Sequence, residues 1–540
     1  MSIEIHAGPF GQYRQELLNP ASALYRFQPE IVLLSLSARD VIPAVPLAAT
    51  AEEAEQAIAD AINDLRALWR HARENPGAVV VQQSFLDTSE PLFGSYDRHV
   101  PGSPARLVAR LNDVAAEAAS RENVLWLDLS KASVRDGIDA WFDIARWLQG
   151  KIEIAPQSAP KYGELLARVI AAQRGQSKKC LALDLDNTLW GGVIGDDGLE
   201  GIVLGQGSAR GEAHLALQRY AKLLQERGII LAVCSKNDLQ TAESVFLNHP
   251  EMALRRSDIA AFVANWNDKA ENLQAIAQQL NIGLDSLVFV DDNPAERARV
   301  RESLPMVAVP ELPKDPAHYV RCLADAGYFE AVSFTLEDRS RAAQYAANAE
   351  RDALRGGSQS IDDFLQSLDM SVVFGPITDA DLLRATQLIN KTNQFNTTTR
   401  RYSAGDVSRF CADLECLTLQ FRLIDRFGDN GLVSVMILRP VPDDPTILEI
   451  DTWVMSCRVF GRQLELEAMN IAVESAQTRG IRAVRADYIP SAKNKVISGL
   501  YETLGFARAE EPQLDDGVTR WQLDTAEYAP RPTFILRKVE

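Results

Sequence analysis

The stretch KKCLALDLDNTLWGG, residues 178–192, constrains the fold more than any other. Its apolar run is too short for a helix and shows no alternation, the pattern of a strand buried on both faces of a parallel sheet. It ends on Asp184 and Asp186, which share one face because strand side chains alternate with a period of two. In open parallel sheets ligands sit beyond the carboxyl ends of the strands, so both carboxylates arrive where chemistry is expected. Three further apolar runs, GIILAVCS, IAAFVAN and SLVFVDD, alternate with amphipathic stretches up to about residue 325. That alternation predicts an α/β domain with a Rossmann-like parallel sheet over 176–325.

At 540 residues the chain exceeds one core. Residues 1–160 repeat the same logic with PEIVLLSLSARD, GAVVVQQSF and NVLWLDLS as strands around two amphipathic helices, a second α/β domain. Residues 326–370 are rich in Ala, Arg, Gln and Glu and predict a helical connector. Beyond it, LTLQFRLIDRF, GLVSVMILRP and TILEIDTWVMS predict antiparallel strands, and RQLELEAMNIAVESAQTRG a helix, so 371–540 form an α+β domain. No internal repeat or low-complexity segment stands out.

A net charge of −18 argues against nucleic acid as a partner. No apolar stretch approaches the roughly 20 residues that cross a bilayer, and the N-terminus lacks a signal-peptide pattern, so a cytoplasmic protein with no membrane partner is expected. Six scattered cysteines without a CxxC pair argue against a zinc ribbon or a secreted disulfide scaffold.

The α/β domain over 176–325 carries the chemistry. A later strand ends VFVDDNP and brings Asp291 and Asp292 to the rim that holds Asp184 and Asp186. Two carboxylates about 4 Å apart repel by roughly 4 kcal/mol at an effective dielectric near 20, so the cluster needs a cation or raised pKa values. An all-oxygen donor set selects a hard ion, Mg²⁺. Ser235 ends a strand in AVCSKN and is placed to meet a phosphate oxygen. Lys269, in NWNDKAENL, supplies a compact positive charge.

DxDxT at Asp184 to Thr188, a serine after an apolar strand, a later lysine and a terminal DD resemble the four motifs of the haloacid dehalogenase superfamily in its phosphotransferase branch. The resemblance implies that Asp184 is the nucleophile forming an aspartyl-phosphate, and that Asp186 protonates the leaving group and then activates water. Thr188 and Ser235 would position phosphoryl oxygens. Asp184, Asp186 through its backbone carbonyl, and Asp291 would hold Mg²⁺, with Asp292 beside them. Too little sequence separates the motifs to build a cap domain, so a capless site open to a large or macromolecule-borne substrate is expected.

KCLALDLDNTLWGGVIGDDG, QLINKTNQFNTTTRRYS and DTWVMSCRVFGRQLE together resemble the FkbH-like proteins (haloacid dehalogenase subfamily IIIC) over nearly the whole chain. The resemblance implies a glyceryl transferase/phosphatase. It dephosphorylates 1,3-bisphosphoglycerate and loads the three-carbon unit as a thioester on the phosphopantetheine arm of an acyl carrier protein, for polyketide-type biosynthesis. A thioester route through the enzyme needs a thiol. Cys234 adjoins Ser235, although neighbouring strand residues face opposite ways. Cys180 shares the face of Asp184 but lies roughly 13 Å deeper along the strand.

NKVISGLYETLGF, 494–506, resembles the helix closing many N-acetyltransferase (GNAT) domains, with Asn494 and Tyr501 at their usual spacing. RVFGRQ, with Arg458, Gly461 and Arg462, matches the acyl-CoA loop pattern except at Gln463, where a small residue is usual. A groove there for the phosphopantetheine arm, with Arg458, Arg462, Arg400 and Arg401 meeting an acidic carrier, is the expectation. The first domain resembles the SGNH-hydrolase-like (flavodoxin-like) segment of longer FkbH-like chains. It lacks a G-D-S motif and a late D-x-x-H, so a docking or scaffold role is expected. A phosphatase without acyl transfer, and a noncatalytic assembly module, are the competing readings.

Overall fold

Three apolar runs of the first domain become parallel strands: β1 (Ile31–Leu34), β2 (Val79–Gln83) and β3 (Leu125–Leu127), ordered β1-β2-β3. The helices Ala51–Glu74 and Pro104–Arg121 connect them. The first buries Ile58, Ile62, Leu65 and Trp69, a stripe at alternating spacings of four and three that matches the helical period. The second starts sharply because Ser103 accepts a hydrogen bond from the Arg106 amide and Pro104 opens the helix. The computed structural model describes residues 3–74, 77–334, 360–509 and 517–538. It divides into two units, Met1–Ala171 and Ala172–Glu540. The first unit runs past the expected boundary at 160 because the helix Ala159–Gln173 crosses it.

Burial pushes the Glu153 carboxyl up to about 7, with a Ser37 hydrogen bond opposing and nearby Asp40 adding to the rise. The folded state therefore favours the protonated acid. Its contribution to stability is full below the unfolded value near 4.5 and is lost as pH rises through about 7. Glu153→Gln should flatten the pH dependence of unfolding in this window and stabilise the unit by about 1–3 kcal/mol at pH 8. Denaturant titrations at several pH values check this; an unchanged slope would refute it.

In the second unit β4 (Cys180–Leu183), β5 (Ile230–Ser235), β6 (Ile259–Ala264) and β7 (Leu287–Val290) form a parallel sheet ordered β6-β5-β4-β7. Every residue of β4, β5 and β7 is buried, as expected for strands covered on both faces. Leu181, Leu183 and Val233 pack into one core, while Cys180, Ala182 and Cys234 pack into the other. The strand order reverses at β4, whose neighbours β5 and β7 lie on opposite sides, and the crevice at such a point is where α/β sheets bind ligands. Between Ser235 and Lys269 lie only the helix Leu239–Asn248, a short 3-10 turn and β6. Residues 190–205 contain a helix, Ile194–Gly201, kinked at Gly198, between the bridged Gly191 and Val203.

The last sheet runs β13-β14-β12-β11-β10-β9-β8-β15, with β8 (Met370–Gly375), β9 (Leu417–Asp425), β10 (Gly428–Val441), β11 (Asp444–Met455), β12 (Ala483–Tyr488), β13 (Ala507–Arg508), β14 (Thr519–Asp524) and β15 (Ile535–Lys538). It is antiparallel except for β11 with β12 and β15 with β8. The helix Leu464–Thr478 makes the β11 to β12 crossover and is followed by Gly480 at φ 72°. This is the GNAT-like α+β layout. Residues 494–506 are not one helix: a 3-10 turn Lys495–Ile497 and a short helix Leu500–Thr503 are separated at Gly499. Of the expected connector, residues 335–359 lie outside the described residues, and Ile361–Ser367 is helical.

Candidate active site

Asp184 continues the sheet by one residue, its amide donating to the Val290 carbonyl at 2.9 Å. The chain then turns tightly, with the Leu185 carbonyl accepting from the Thr188 and Leu189 amides at 3.1 and 2.8 Å. Asn187 takes the left-handed conformation at φ 55°, which asparagine tolerates better than most residues. Gly192 is required nearby: at φ 94°, an added Cβ would sit 2.5 Å from Asp197 Oδ2, the acceptor of the Val193 amide.

The turn presents Asp186 and Thr188 at the rim. Asp186 Oδ1 accepts from the Trp190 indole at 2.9 Å and the Ile194 amide at 3.0 Å, and Oδ2 accepts from Asn237 Nδ2 at 2.9 Å. Asn237 also donates to Ser235 Oγ at 3.3 Å, tying the first and second motifs together. Thr188 Oγ1 accepts from the Asp292 amide at 3.1 Å and ties the first motif to the last. Buried Arg297 donates to the carbonyls of Asp291 and Asp292 at 2.9 and 2.7 Å and holds that loop from below.

Lys269 is the first residue of the helix Lys269–Gln279, which starts there because Asp268 caps it through the Ala270 amide. Its Nζ lies 3.0 Å from Asp184 Oδ1 and 2.5 Å from Asp291 Oδ2, with all three side chains buried. Burial raises the Asp184 carboxyl to about 6, with Lys269 opposing and Asp291 adding to the rise. Burial likewise raises Asp291 and Asp292, partly offset by Lys269. Lys269 itself stays above its ordinary value: burial works against its charge, but Asp184 and Asp291 outweigh it.

Carboxylate oxygens of Asp184, Asp291 and Asp292 lie within 4.8 Å of one another. Three ionised carboxylates against one ammonium leave two negative charges, which one divalent cation would balance. The donor set is all oxygen, so these residues fit Mg²⁺. The carboxylate of Asp186 is not in this cluster; its oxygens are committed to Trp190, Ile194 and Asn237. Asn237→Ala should lower kcat for phosphoester hydrolysis by about 10- to 100-fold while changing KM little, because it loosens Asp186 without touching the cluster. Steady-state kinetics check this; a pure KM effect would count against it.

Cys180 and Cys234 are both fully buried in the apolar core under the sheet. The Cys234 thiol faces the Lys269 carbonyl at 3.7 Å, and burial pushes both thiols far up. Buried neutral thiols are poor nucleophiles, and the structure presents neither at the rim.

The residues expected to bind pantetheine do not gather around a groove. Arg462 pairs inside the fold with buried Asp425 at 3.0 Å and donates to the Arg458 carbonyl at 2.8 Å. Arg458 is buried, with Nε 3.1 Å from Ser456 Oγ. Asn494 is fully buried, bonded to the carbonyls of Asn396 and Ile489, and Tyr501 is a core residue. Gly461, at φ 70°, serves the turn before the helix, and Gln463 accepts from the Phe534 amide. Arg400 pairs with Asp451, and Arg401 donates to the Ile389 carbonyl and Asn393 at 2.6 Å.

The groove itself is filled. β11 and β12 pair only as far as Ile450 and Ala486, and residues 395–398 occupy the space beyond. The Thr397 amide donates to the Trp453 carbonyl, the Met455 amide to the Phe395 carbonyl and the Ile489 amide to the Thr397 carbonyl, at 2.9–3.2 Å. Four buried side chains, Phe395 to Thr398, close it. At the place where a pantetheine arm is expected, residues 395–398 satisfy those backbone groups. Nothing in the composition of QFNTTT marks it for this place, where Asn396 makes an isolated antiparallel bridge with Val454.

Residues 1–170 match the model of the FkbH N-terminal domain. The crystal structure of the N-terminal part of the protein BF1531 from Bacteroides fragilis, containing a phosphatase domain complexed with Mg, is 36% identical, with a TM-score of 0.57. The match covers 61% of this chain and 87% of that one. The ribosomal-protein-S18-alanine N-acetyltransferase from Escherichia coli is also similar, at 15% identity and a TM-score of 0.23, covering 29% of this chain and 96% of that one. No curated protein matches the chain. Among the described residues no helix is long and apolar enough to cross a membrane. The four motifs assembled at one rim, the matching N-terminal domain and the 36% identity to a phosphatase-containing protein place the chain in the FkbH-like family of the haloacid dehalogenase superfamily.

Proposed function

We propose that the protein is an Mg²⁺-dependent phosphatase acting through an aspartyl-phosphate, and that it serves the loading of a glyceryl unit onto an acyl carrier protein. The phosphatase reading rests on one observation: Asp184 and Asp291 converge on Lys269 at the switch point of a parallel sheet, with Asp186 held beside them. Asp184 attacks phosphorus as the phosphoester bond breaks, and Asp186 gives its proton to the departing oxygen. Water then attacks the aspartyl-phosphate, Asp186 takes its proton, and inorganic phosphate leaves. Mg²⁺ held by Asp184, Asp291 and Asp292 would neutralise charge on the phosphoryl oxygens. Its presence in the BF1531 structure supports the assignment.

Glyceryl transfer is supported by family membership. The thiol of a carrier's phosphopantetheine would attack the acyl carbon of 1,3-bisphosphoglycerate and expel the 1-phosphate, while the site above removes the 3-phosphate. The burial of Cys180 and Cys234 favours direct transfer to the carrier, or a second reading in which the enzyme is a phosphatase alone. Mass spectrometry of a phosphopantetheinylated carrier incubated with enzyme, Mg²⁺ and 1,3-bisphosphoglycerate separates them. A glyceryl mass gain supports loading; phosphate release without it leaves hydrolysis alone.

A further inference from the structure

The helix Ala209–Glu226 runs between the first two motifs and carries three polar side chains in a row. Arg210, His214 and Gln218 are spaced by four, so they share one face of it. Each bonds one of three successive residues of the turn that presents Asp186. Arg210 Nη2 donates to Asn187 Oδ1, His214 Nδ1 to the Thr188 carbonyl and Gln218 Nε2 to the Leu189 carbonyl, all at 2.8 Å. Gln218 Oε1 accepts in turn from the Ala253 amide at 2.9 Å. Close backbone contact seats the helix itself: a Cβ added to Gly211 would stand 2.7 Å from the Gly205 carbonyl oxygen.

His214 is fully buried, and burial holds its pKa below the ordinary histidine value, so the ring is neutral. A carbonyl can only accept, which places the single ring proton on Nδ1 and leaves Nε2 as an acceptor. Nε2 has no hydrogen-bond partner among the described residues. The ring meets Tyr319 edge-on, with centroids 6.4 Å apart. A buried acceptor left unmade costs stability, so packing alone favours an apolar side chain at this position. The bond made by Nδ1 accounts for a histidine. What it holds is central to the rim: Thr188 Oγ1 accepts from the Asp292 amide at 3.1 Å. Trp190, directly after Leu189, donates its indole N–H to Asp186 Oδ1 at 2.9 Å.

We propose that His214 is a positioning residue for the phosphoryl-transfer reaction. With Arg210 and Gln218 it splints residues 187–189, and so fixes where the Asp186 carboxyl stands when it gives its proton to the departing oxygen. No bond to His214 forms or breaks in the reaction. This role rests on the phosphatase reading above.

The test compares the full-length parent with His214→Leu and His214→Asn in saturating MgCl₂. Asparagine offers an N–H near the place of Nδ1, whereas leucine keeps the bulk and loses the donor. On p-nitrophenyl phosphate, His214→Leu should lower kcat by about 10- to 100-fold with KM within about threefold, and His214→Asn should stay within about fivefold of the parent. A packing role would give the reverse order, since leucine fills a core position better than asparagine. A general acid matters more for a poor leaving group, so the His214→Leu loss should be at least about fivefold larger on phenyl phosphate than on p-nitrophenyl phosphate. Calorimetric Mg²⁺ binding should be unchanged, because the carboxylates of Asp184, Asp291 and Asp292 are not rungs of this ladder. Equal losses on both esters, leucine outperforming asparagine, or His214→Leu activity within about threefold of the parent would each overturn the role. Should His214→Leu not fold, His214→Asn decides alone: activity within about fivefold supports the role, and a loss beyond about tenfold in the folded variant overturns it. A parent inactive on both esters removes the phosphatase reading itself, and the role of His214 falls with it.

Discussion

Asp184→Asn is expected to reduce kcat for p-nitrophenyl phosphate hydrolysis by about 10⁴-fold or more, with the fold intact. Asparagine keeps the shape of the side chain but has no anionic oxygen to attack phosphorus. Lys269 retains Asp291 at 2.5 Å, so the lysine is not left unpaired. The substitution also removes one of three crowded carboxylates, so the metal-free variant should be at least as stable as the parent. Kinetics and thermal melting in chelator, measured side by side, distinguish a lost nucleophile from a lost fold. Residual activity within tenfold of the parent would show that another group attacks phosphorus.

The second large effect concerns the cation. Lys269→Met leaves Asp184, Asp291 and Asp292 facing one another with no positive charge between them. Breaking a buried charge pair by removing one partner costs about 3–5 kcal/mol, and stability in chelator should fall by that order. Because the loss is electrostatic, saturating MgCl₂ should restore a larger share of stability in the variant than it adds to the parent. Activity should fall as well, since the ammonium that orients Asp184 is gone. Urea titrations with and without Mg²⁺ check both statements; equal stability of variant and parent in chelator would remove Lys269 from the charge balance.

The phosphatase rim was largely legible because each motif sits at a place that local rules define. An unalternating apolar run must be a doubly covered strand, its carboxyl end must lie at the rim, and Lys269 follows a capping Asp at a helix start. No local pattern marks Asn237, although it stands two residues after Ser235. Its role comes from the bond to Asp186, 51 residues earlier in the chain. The same holds for Arg297, since nothing local says that a helical arginine will hold the two carbonyls of Asp291 and Asp292.

The GNAT-like domain shows the opposite case. Arg458, Arg462, Asn494 and Tyr501 carry a ligand-binding pattern, yet all four are buried in the domain interior. Arg462 balances Asp425, 37 residues away, and residues 395–398 fill the gap between β11 and β12. A spacing pattern records which residue types occur, whereas only packing decides whether the space beside them stays open.

By itself, the sequence determined the alternation of strand and helix, the parallel sheet and the delivery of Asp184, Asp186 and Asp291 to one end of it, because hydrophobic period and strand direction are local properties. Tertiary structure decided how Lys269 meets those carboxylates, that Cys180 and Cys234 are sealed beneath them, and that residues 395–398 fill the gap between β11 and β12. Those outcomes depend on groups distant in sequence sharing one low-dielectric volume, where charge and burial are settled collectively.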